Sequence, residues 1–228
     1  METKRVNGRV LVTSGPTRAA IDRVRYIANT SSGTLGARIV EALTARGAGV
    51  KLLLGAGAER PSVPEEILLE TVHVVTVDDL IAQVRAASGD RGIRAVVHAM
   101  AVLDYIPERG METKRPSDTP FWDIRMIRTP KVIALIRELM PDACTVGFKL
   151  EAGVSEAELV RRAFESLRTH GLDLVVANDL DRVGPDIHEA IFIDPRGGII
   201  GRASTKREIA GYIAGFILEH SDILQQGD

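Results

Sequence analysis

The sequence predicts an α/β fold: a Rossmann-like, mostly parallel sheet with helices on both faces, plus a long loop and a short strand and hairpin extension. Short apolar runs rich in β-branched residues alternate with longer stretches of helical period. Several of these runs are apolar enough to be buried on both faces, which suits a sheet sandwiched between helices. The strand–helix alternation continues almost to the last residue, and it builds the crossover units from which parallel sheets are made.

Taken in order, VLVTS (10–14) is the first expected strand, and TLGARIVEALTARG (34–47) is a helix stopped by Gly47. VKLLLG (50–55) is the second strand and VHVVTV (72–77), after a Pro-containing loop, the third. DDLIAQVRAA (78–87) is a helix with Asp at its start, where a carboxylate can cap free N–H groups. AVVHAMAV (95–102) is a buried strand. Residues 104–123 hold three prolines and many charges without clear period, which reads as a long loop. DIRMI (123–127) alternates like a half-exposed strand, and Thr129 before Pro130 marks the entry of a helix over 129–139. A strand over 144–148, a helix over 155–168 and a strand over 172–179 follow. AIFID-PRGG-IIGRA (190–203) has the polar, Gly-rich centre of a hairpin, and 205–220 is a final helix. Residues 1–220 are expected to form a single domain and 221–228 a frayed tail.

Composition narrows the function classes. Of 228 residues, 45% are hydrophobic and 26% charged, which is ordinary for a globular chain. A formal charge of −2 excludes a bulk electrostatic hold on nucleic acid or on an anionic membrane, so any anion site needs a local cluster. No apolar run approaches the roughly 20 residues that a membrane span needs. The single cysteine, Cys144, excludes an internal disulfide and fits a reducing compartment. METKRVNG at the start is polar and lacks the look of a signal peptide, so the expected location is the cytoplasm. The five histidines show no metal-ligand spacing.

The most informative stretch is RYIANTSSGTLG (25–36). A dinucleotide fingerprint would set G-x-G-x-x-G directly after the first strand, with an acid about 20 residues on for the ribose. Here Gly15 ends the strand, while Gly33 and Gly36 stand beyond an insertion, PTRAAIDRVRYIANTSS, and the second strand ends in LLLGAG without an acid. Ser31, Ser32 and Gly33 at a helix start offer hydroxyls and unpaired N–H groups backed by a positive dipole, a cradle for phosphate. Residues 17–38 add Arg18, Arg23, Arg25 and Arg38 against one acid, Asp22.

In order, SGPTRAAIDRVRYIANTSSGTLG, HAMAVLDY, TPKVI, VGFKLE and LDLVVAND resemble the phosphopantothenate–cysteine ligase family, in its stand-alone form without a preceding decarboxylase domain. The resemblance covers residues 9–218. It implies a ligase of coenzyme A biosynthesis that joins 4′-phosphopantothenate to the amine of L-cysteine. CTP activates the carboxylate as an acyl-cytidylate, releasing pyrophosphate and then CMP. Mg²⁺ is implied as companion of the triphosphate, its protein ligands unreadable from sequence, and a homodimer is implied as the assembly. An ATP-using version of the same ligase is the first alternative.

The resemblance also implies residue roles. Asn29 matches an asparagine that handles the acyl-cytidylate, where an amide can donate to the carbonyl oxygen as the amine attacks. Arg25 matches an arginine near the phosphopantothenate, its forked guanidinium suited to carboxylate or phosphate. Lys114 falls in the family's lysine loop, placed to offset charge on the triphosphate. Met100, Ala101 and Asp104 at a strand end, the turn Pro130, Lys131, Val132 and Ile133, and the aromatic Phe148 match nucleotide contacts. Two lysines of the fused relatives correspond to Ser166 and His170, which bears on CTP against ATP. Outside the resemblance, an NAD(P)-dependent oxidoreductase is the reading that fold alone favours, and a regulatory nucleotide-binding protein is the non-enzymatic one. Cys144 lacks a fixed His partner, which argues against a nucleophile.

Overall fold

A computed structural model describes residues 8–64, 68–184 and 187–221. Eight strands form one sheet: β1 (Arg9–Pro16), β4 (Gly49–Gly55), β5 (Leu68–Val74), β6 (Ile93–Ala101), β9 (Cys144–Glu151), β10 (Leu174–Asp179), β11 (Ala190–Ile193) and β12 (Ile199–Ala203). Their spatial order is β12-β11-β10-β9-β6-β1-β4-β5. All pairings from β5 to β10 are parallel, and the β11–β12 hairpin adds an antiparallel edge. From β1 the chain winds one way through β4 and β5, then returns to lay β6, β9 and β10 on the other side. The switch point therefore lies between the carboxyl ends of β1 and β6, where open α/β sheets bind ligands.

Both faces are covered, as the apolar runs predict. In β1, Val10 and Val12 face α1 (Thr34–Thr44) and α5 (Lys206–His220), packing with Ile39, Leu43, Ile209 and Ile213. Leu11 points the other way, with Leu53 and Val96, toward Leu80 and Val84 of α2 (Val77–Ser88) and Ile136 of α3 (Val132–Leu139). This is the period-two alternation of a strand working between two apolar layers. Helix α4 (Glu156–His170) covers β10 and β11 on that second face through Leu159, Ala163 and Leu167.

Several boundaries move for local reasons. The third strand ends at Val74 rather than 77, because Thr76 caps α2 and Val77 is already helical. The cap is a reciprocal box: the Thr76 side chain accepts from the Asp79 N–H, and the Asp79 carboxylate accepts from the Thr76 N–H. Helix α1 stops at Thr44, three residues early, and Gly47 completes the turn with φ of 84°. Helix α3 begins at Val132, since Thr129 spends its hydroxyl on the Leu103 carbonyl at 2.6 Å instead of capping. The half-exposed strand falls at Met126–Arg128 (β8) and pairs with Tyr105–Pro107 (β7), which lies inside the expected loop. A second ribbon, β2 (Arg18–Ala20) with β3 (Tyr26–Ala28), occupies the insertion after β1. Of the tail expected to fray, Ser221 is buried with its hydroxyl on the Ile217 carbonyl, and 222–228 lie outside the described residues.

Candidate active site

Despite the insertion, α1 docks on β1 as a crossover helix must. The Ser14 hydroxyl donates to the Gly33 carbonyl at 3.1 Å, and a Cβ on Gly36 would lie 2.1 Å from Ser14 Oγ, so that position admits only glycine. Gly33 has φ of 74°, a left-handed conformation that glycine adopts freely. The β2–β3 ribbon is thus an excursion that leaves from the end of β1 and returns to the helix at its proper seat.

Both ribbons rise at the switch point and converge on the segment leaving β6. That segment is held from three directions. Thr17 Oγ1 accepts from the Leu103 N–H at 2.9 Å, the Asn29 amide donates to the Val102 carbonyl at 3.0 Å, and the Thr129 N–H donates to the Asp104 carbonyl at 2.9 Å. Asn29 is thereby brought against the segment that carries Ala101 and Asp104, with Met100 buried just behind. Its amide keeps one N–H and its carbonyl oxygen for a ligand. Asp104 and Lys131, both expected on the nucleotide, pair with each other at 2.6 Å, which fixes the start of α3 to the end of β6. Pro130 is exposed beside Lys131, Val132 is buried, and Ile133 packs toward α4. Phe148 is partly buried in the core layer of α1 and α5, the face opposite Val132.

The loop holding Lys114 crosses the first ribbon. The Met111 N–H donates to the Ile21 carbonyl at 3.0 Å, and the Arg115 N–H to Asp22 Oδ2 at 3.2 Å. Lys114 is exposed and makes no hydrogen bond or ion pair among the described residues. The Arg25 guanidinium reaches the same Asp22 oxygen at 3.0 Å. Arg25 and Arg115 lie over the Trp122 ring at 5.3 and 5.1 Å from its centre.

The basic insertion is less open than its charge suggests. Arg38 pairs with Glu41 and Glu59, and Arg18 donates to the Ala56 carbonyl while lying over Tyr26. At the start of α1 the N-cap residue Gly33 has no side chain to cap with, but the Thr34 N–H donates to the Ser32 hydroxyl at 3.4 Å, so part of the expected phosphate cradle is already occupied. Ser32 Oγ also contacts Thr34 Oγ1 at 2.8 Å, and that hydroxyl donates to Glu59 at 2.7 Å, which sets an acid beside the cradle.

Burial shifts His98, His170 and Cys144 away from their charged forms. His98, with Nδ1 2.8 Å from Thr13 Oγ1, is pushed down to about 4, so it is uncharged at neutral pH. His170 is lowered by burial and then by Lys131 and Lys149, which places this histidine electrostatically beside the start of α3. The Cys144 thiol is pushed up to about 12 by burial and by Asp173, and such a thiol is no nucleophile. Asp22, Arg115, Trp122, Thr17 and Thr129 were not singled out as site residues from the sequence. Asp22 was findable as the one acid in a basic insertion, and Trp122 as the one tryptophan in a charged loop.

The family model of the DNA/pantothenate metabolism flavoprotein C-terminal domain matches residues 6–223. The coenzyme A biosynthesis bifunctional protein CoaBC of Thermococcus kodakarensis is 36% identical over 202 residues, 89% of this chain and 49% of that protein. The chain thus spans about half the length of the curated relatives it matches. Among solved structures, the DNA/pantothenate metabolism flavoprotein from Streptococcus pneumoniae superposes with a TM-score of 0.84 at 32% identity, covering 93% of this chain and 99% of that one. The C-terminal domain of a CoaBC protein does so with a TM-score of 0.71 at 26% identity, covering 92% and 93%.

Proposed function

Because the chain belongs to the family of the DNA/pantothenate metabolism flavoprotein C-terminal domain, we propose that it is a phosphopantothenate–cysteine ligase of coenzyme A biosynthesis. The relatives' role in coenzyme A biosynthesis supports the pathway. The observation that carries the reading at the level of residues is the Asn29 amide bonded to the segment that leaves β6 at the switch point. That donor is assigned to the second of two consecutive reactions.

In the first, a carboxylate oxygen of 4′-phosphopantothenate attacks the α-phosphorus of CTP. A P–O bond forms, the bond to pyrophosphate breaks, and an acyl-cytidylate results. Charge accumulates on the leaving pyrophosphate, and the ammonium of Lys114 and the guanidinium of Arg25 are the cations for it and for the substrate's anions. Among the described residues no three His, Cys, Asp or Glu gather as a metal cage. Mg²⁺ would accompany the triphosphate, held by phosphate oxygens and water, and its chemistry would be to neutralise phosphate charge. In the second reaction the amine of L-cysteine attacks the acyl carbon, a C–N bond forms, and CMP leaves with the acyl oxygen. Asn29 donates to the carbonyl oxygen as it gains negative charge, and the amine's proton passes to solvent. Met100, Ala101, Asp104, Lys131 and Phe148 are assigned to the cytidine side, with the Ser31–Gly33 cradle on a phosphate.

Pyrophosphate release with CTP and with ATP, each with and without phosphopantothenate, tests the reading. Release should require phosphopantothenate and run faster with CTP. Equal rates with ATP would overturn the nucleotide choice, and no release with either would overturn the ligase. We also propose a cytoplasmic homodimer, supported by the large exposed side chains Val24, Tyr26, Tyr105, Phe121 and Ile127 on and beside the two ribbons. Light scattering at micromolar concentration should give twice the chain mass, and a fully active monomer would refute it.

A further inference from the structure

We propose that Asp22 is a positioning residue: its carboxylate fastens the Lys114 loop to the ribbon carrying Arg25 and Asn29, so that both halves of the site face one substrate. The roles of those three residues rest on the ligase reading; the fastening itself does not.

The two oxygens of Asp22 do different work. Oδ1 accepts the N–H groups of Val24 and Arg25 at 2.9 and 2.8 Å, which closes the turn between β2 and β3. Oδ2 looks outward. It accepts the Arg25 guanidinium at 3.0 Å and, from 93 residues along the chain, the Arg115 N–H at 3.2 Å. The Asp22 side chain is fully buried, and a buried carboxylate is retained only where charge and donors answer it. Burial opposes its ionisation, but the N–H groups of Val24, Arg115 and Arg25, and the Arg25 charge, outweigh that and hold the carboxyl below 3.8. A turn alone needs only Oδ1. Oδ2 serves the loop.

The geometry leaves a built-in reporter. Trp122 is the only tryptophan, and its ring is within 5.3 Å of the Arg25 guanidinium and 5.1 Å of that of Arg115, one from each side of the join. Loosening the join should open the indole to solvent. The Met111–Ile21 main-chain bond would still hold the start of the loop, so the slack would appear around Lys114.

Asp22→Asn separates the two jobs, because the amide oxygen can serve the turn while Nδ2 meets two donors and can accept from neither. Compared with Arg115→Ala, Arg115→Pro removes the N–H while both lack the guanidinium; the ring also fixes φ at 115 and holds Lys114 in an extended conformation, so the quenching of Trp122, rather than turnover, reports on the lost bond. In ligand-free protein, acrylamide quenching of Trp122 should rise in Asp22→Asn, and it should be higher in Arg115→Pro than in Arg115→Ala. In the pyrophosphate assay, kcat should fall about tenfold in Asp22→Asn, with KM for CTP changed less than about threefold. A merely structural aspartate would lower the melting temperature without that split. Wild-type quenching and kcat in Asp22→Asn would overturn the proposal, as would identical quenching of the two Arg115 variants. If Asp22→Asn fails to fold, the Arg115 pair decides. If the wild type releases no pyrophosphate, the ligase reading falls, and quenching alone still decides whether the loop is fastened through Asp22.

Discussion

The carboxyl edge of the sheet has two ends, built from the same materials to different effect. Beyond β10, the hairpin and the start of α4 form a half-open cleft of about 110 Å³ lined by Glu156, Asp179, Arg182, Glu189 and Arg202. Every one of those charges is answered within the protein. Glu156 pairs with Arg202 at 2.7 Å and Arg182 with Glu189 at 3.2 Å, while Asp179 takes the N–H groups of Gly153, Val154 and Asp181. At the switch point the site is open, and donors are left over: Lys114 pairs with nothing among the described residues, and Asn29 uses only one N–H. Paired charges mark where side chains have met one another. Unspent hydrogen-bonding capacity at the topological switch marks where a ligand has work to find.

The largest effects should follow from removing those unspent donors. Asn29→Asp puts a negative charge where the acyl oxygen gains one, so transfer to cysteine should slow by about 10²–10³ while pyrophosphate release stays within a few-fold. Acyl-cytidylate would then accumulate with cysteine present. Loss of pyrophosphate release in that variant would break the assignment of Asn29 to the second step. Lys114→Gln should act on the other half, slowing pyrophosphate release about 10- to 100-fold. Normal release would remove Lys114 from the chemistry and leave the open end with a single functional donor.

Much of the frame was legible in the sequence because periodicity and burial agree there. Strands such as 50–55 and 95–102 are continuous apolar runs, and no tertiary effect competes with them. The N-terminal boundaries shifted where a side chain had a better tertiary use, as Thr129 shows by bonding Leu103 rather than capping its helix. Of the expected site, Asn29 meets the segment carrying Ala101 and Asp104, and Lys131 joins Asp104, as motifs on neighbouring strand ends should. Phe148 sits on the α1–α5 layer, because the alternation of β9 carries it there with Val146. What sequence could not disclose was long-range: Asp22 meets Arg115 only after two ribbons fold over each other, and no local pattern encodes that contact. Likewise, four arginines within residues 17–38 look like an anion surface until Glu41 and Glu59 are placed beside Arg38 and Asp22 beside Arg25.

The smallest effect belongs to the paired end, and it is the control on the rest. Arg202→Ala breaks the pair with Glu156 but touches nothing at the switch point, so pyrophosphate release should match the wild type. The pair is exposed on both sides, where side-chain entropy and salt screening leave little net gain, and the melting temperature should drop by at most about 4 °C. Its pH dependence has a fixed sign. The Arg202 hydrogen bond and charge hold Glu156 below its ordinary 4.5 against the cost of burial. A carboxylate depressed in the folded state stabilises above its unfolded pKa, and the contribution is lost as pH falls through the folded value. The difference between wild type and Arg202→Ala should therefore be constant from pH 6 to 8, shrink in 1 M salt, and fade as the pH falls below the ordinary 4.5 and through the lowered folded value of Glu156. Slowed turnover in this variant would mean that the paired end also takes part in the reaction, and that paired charges are not spent ones.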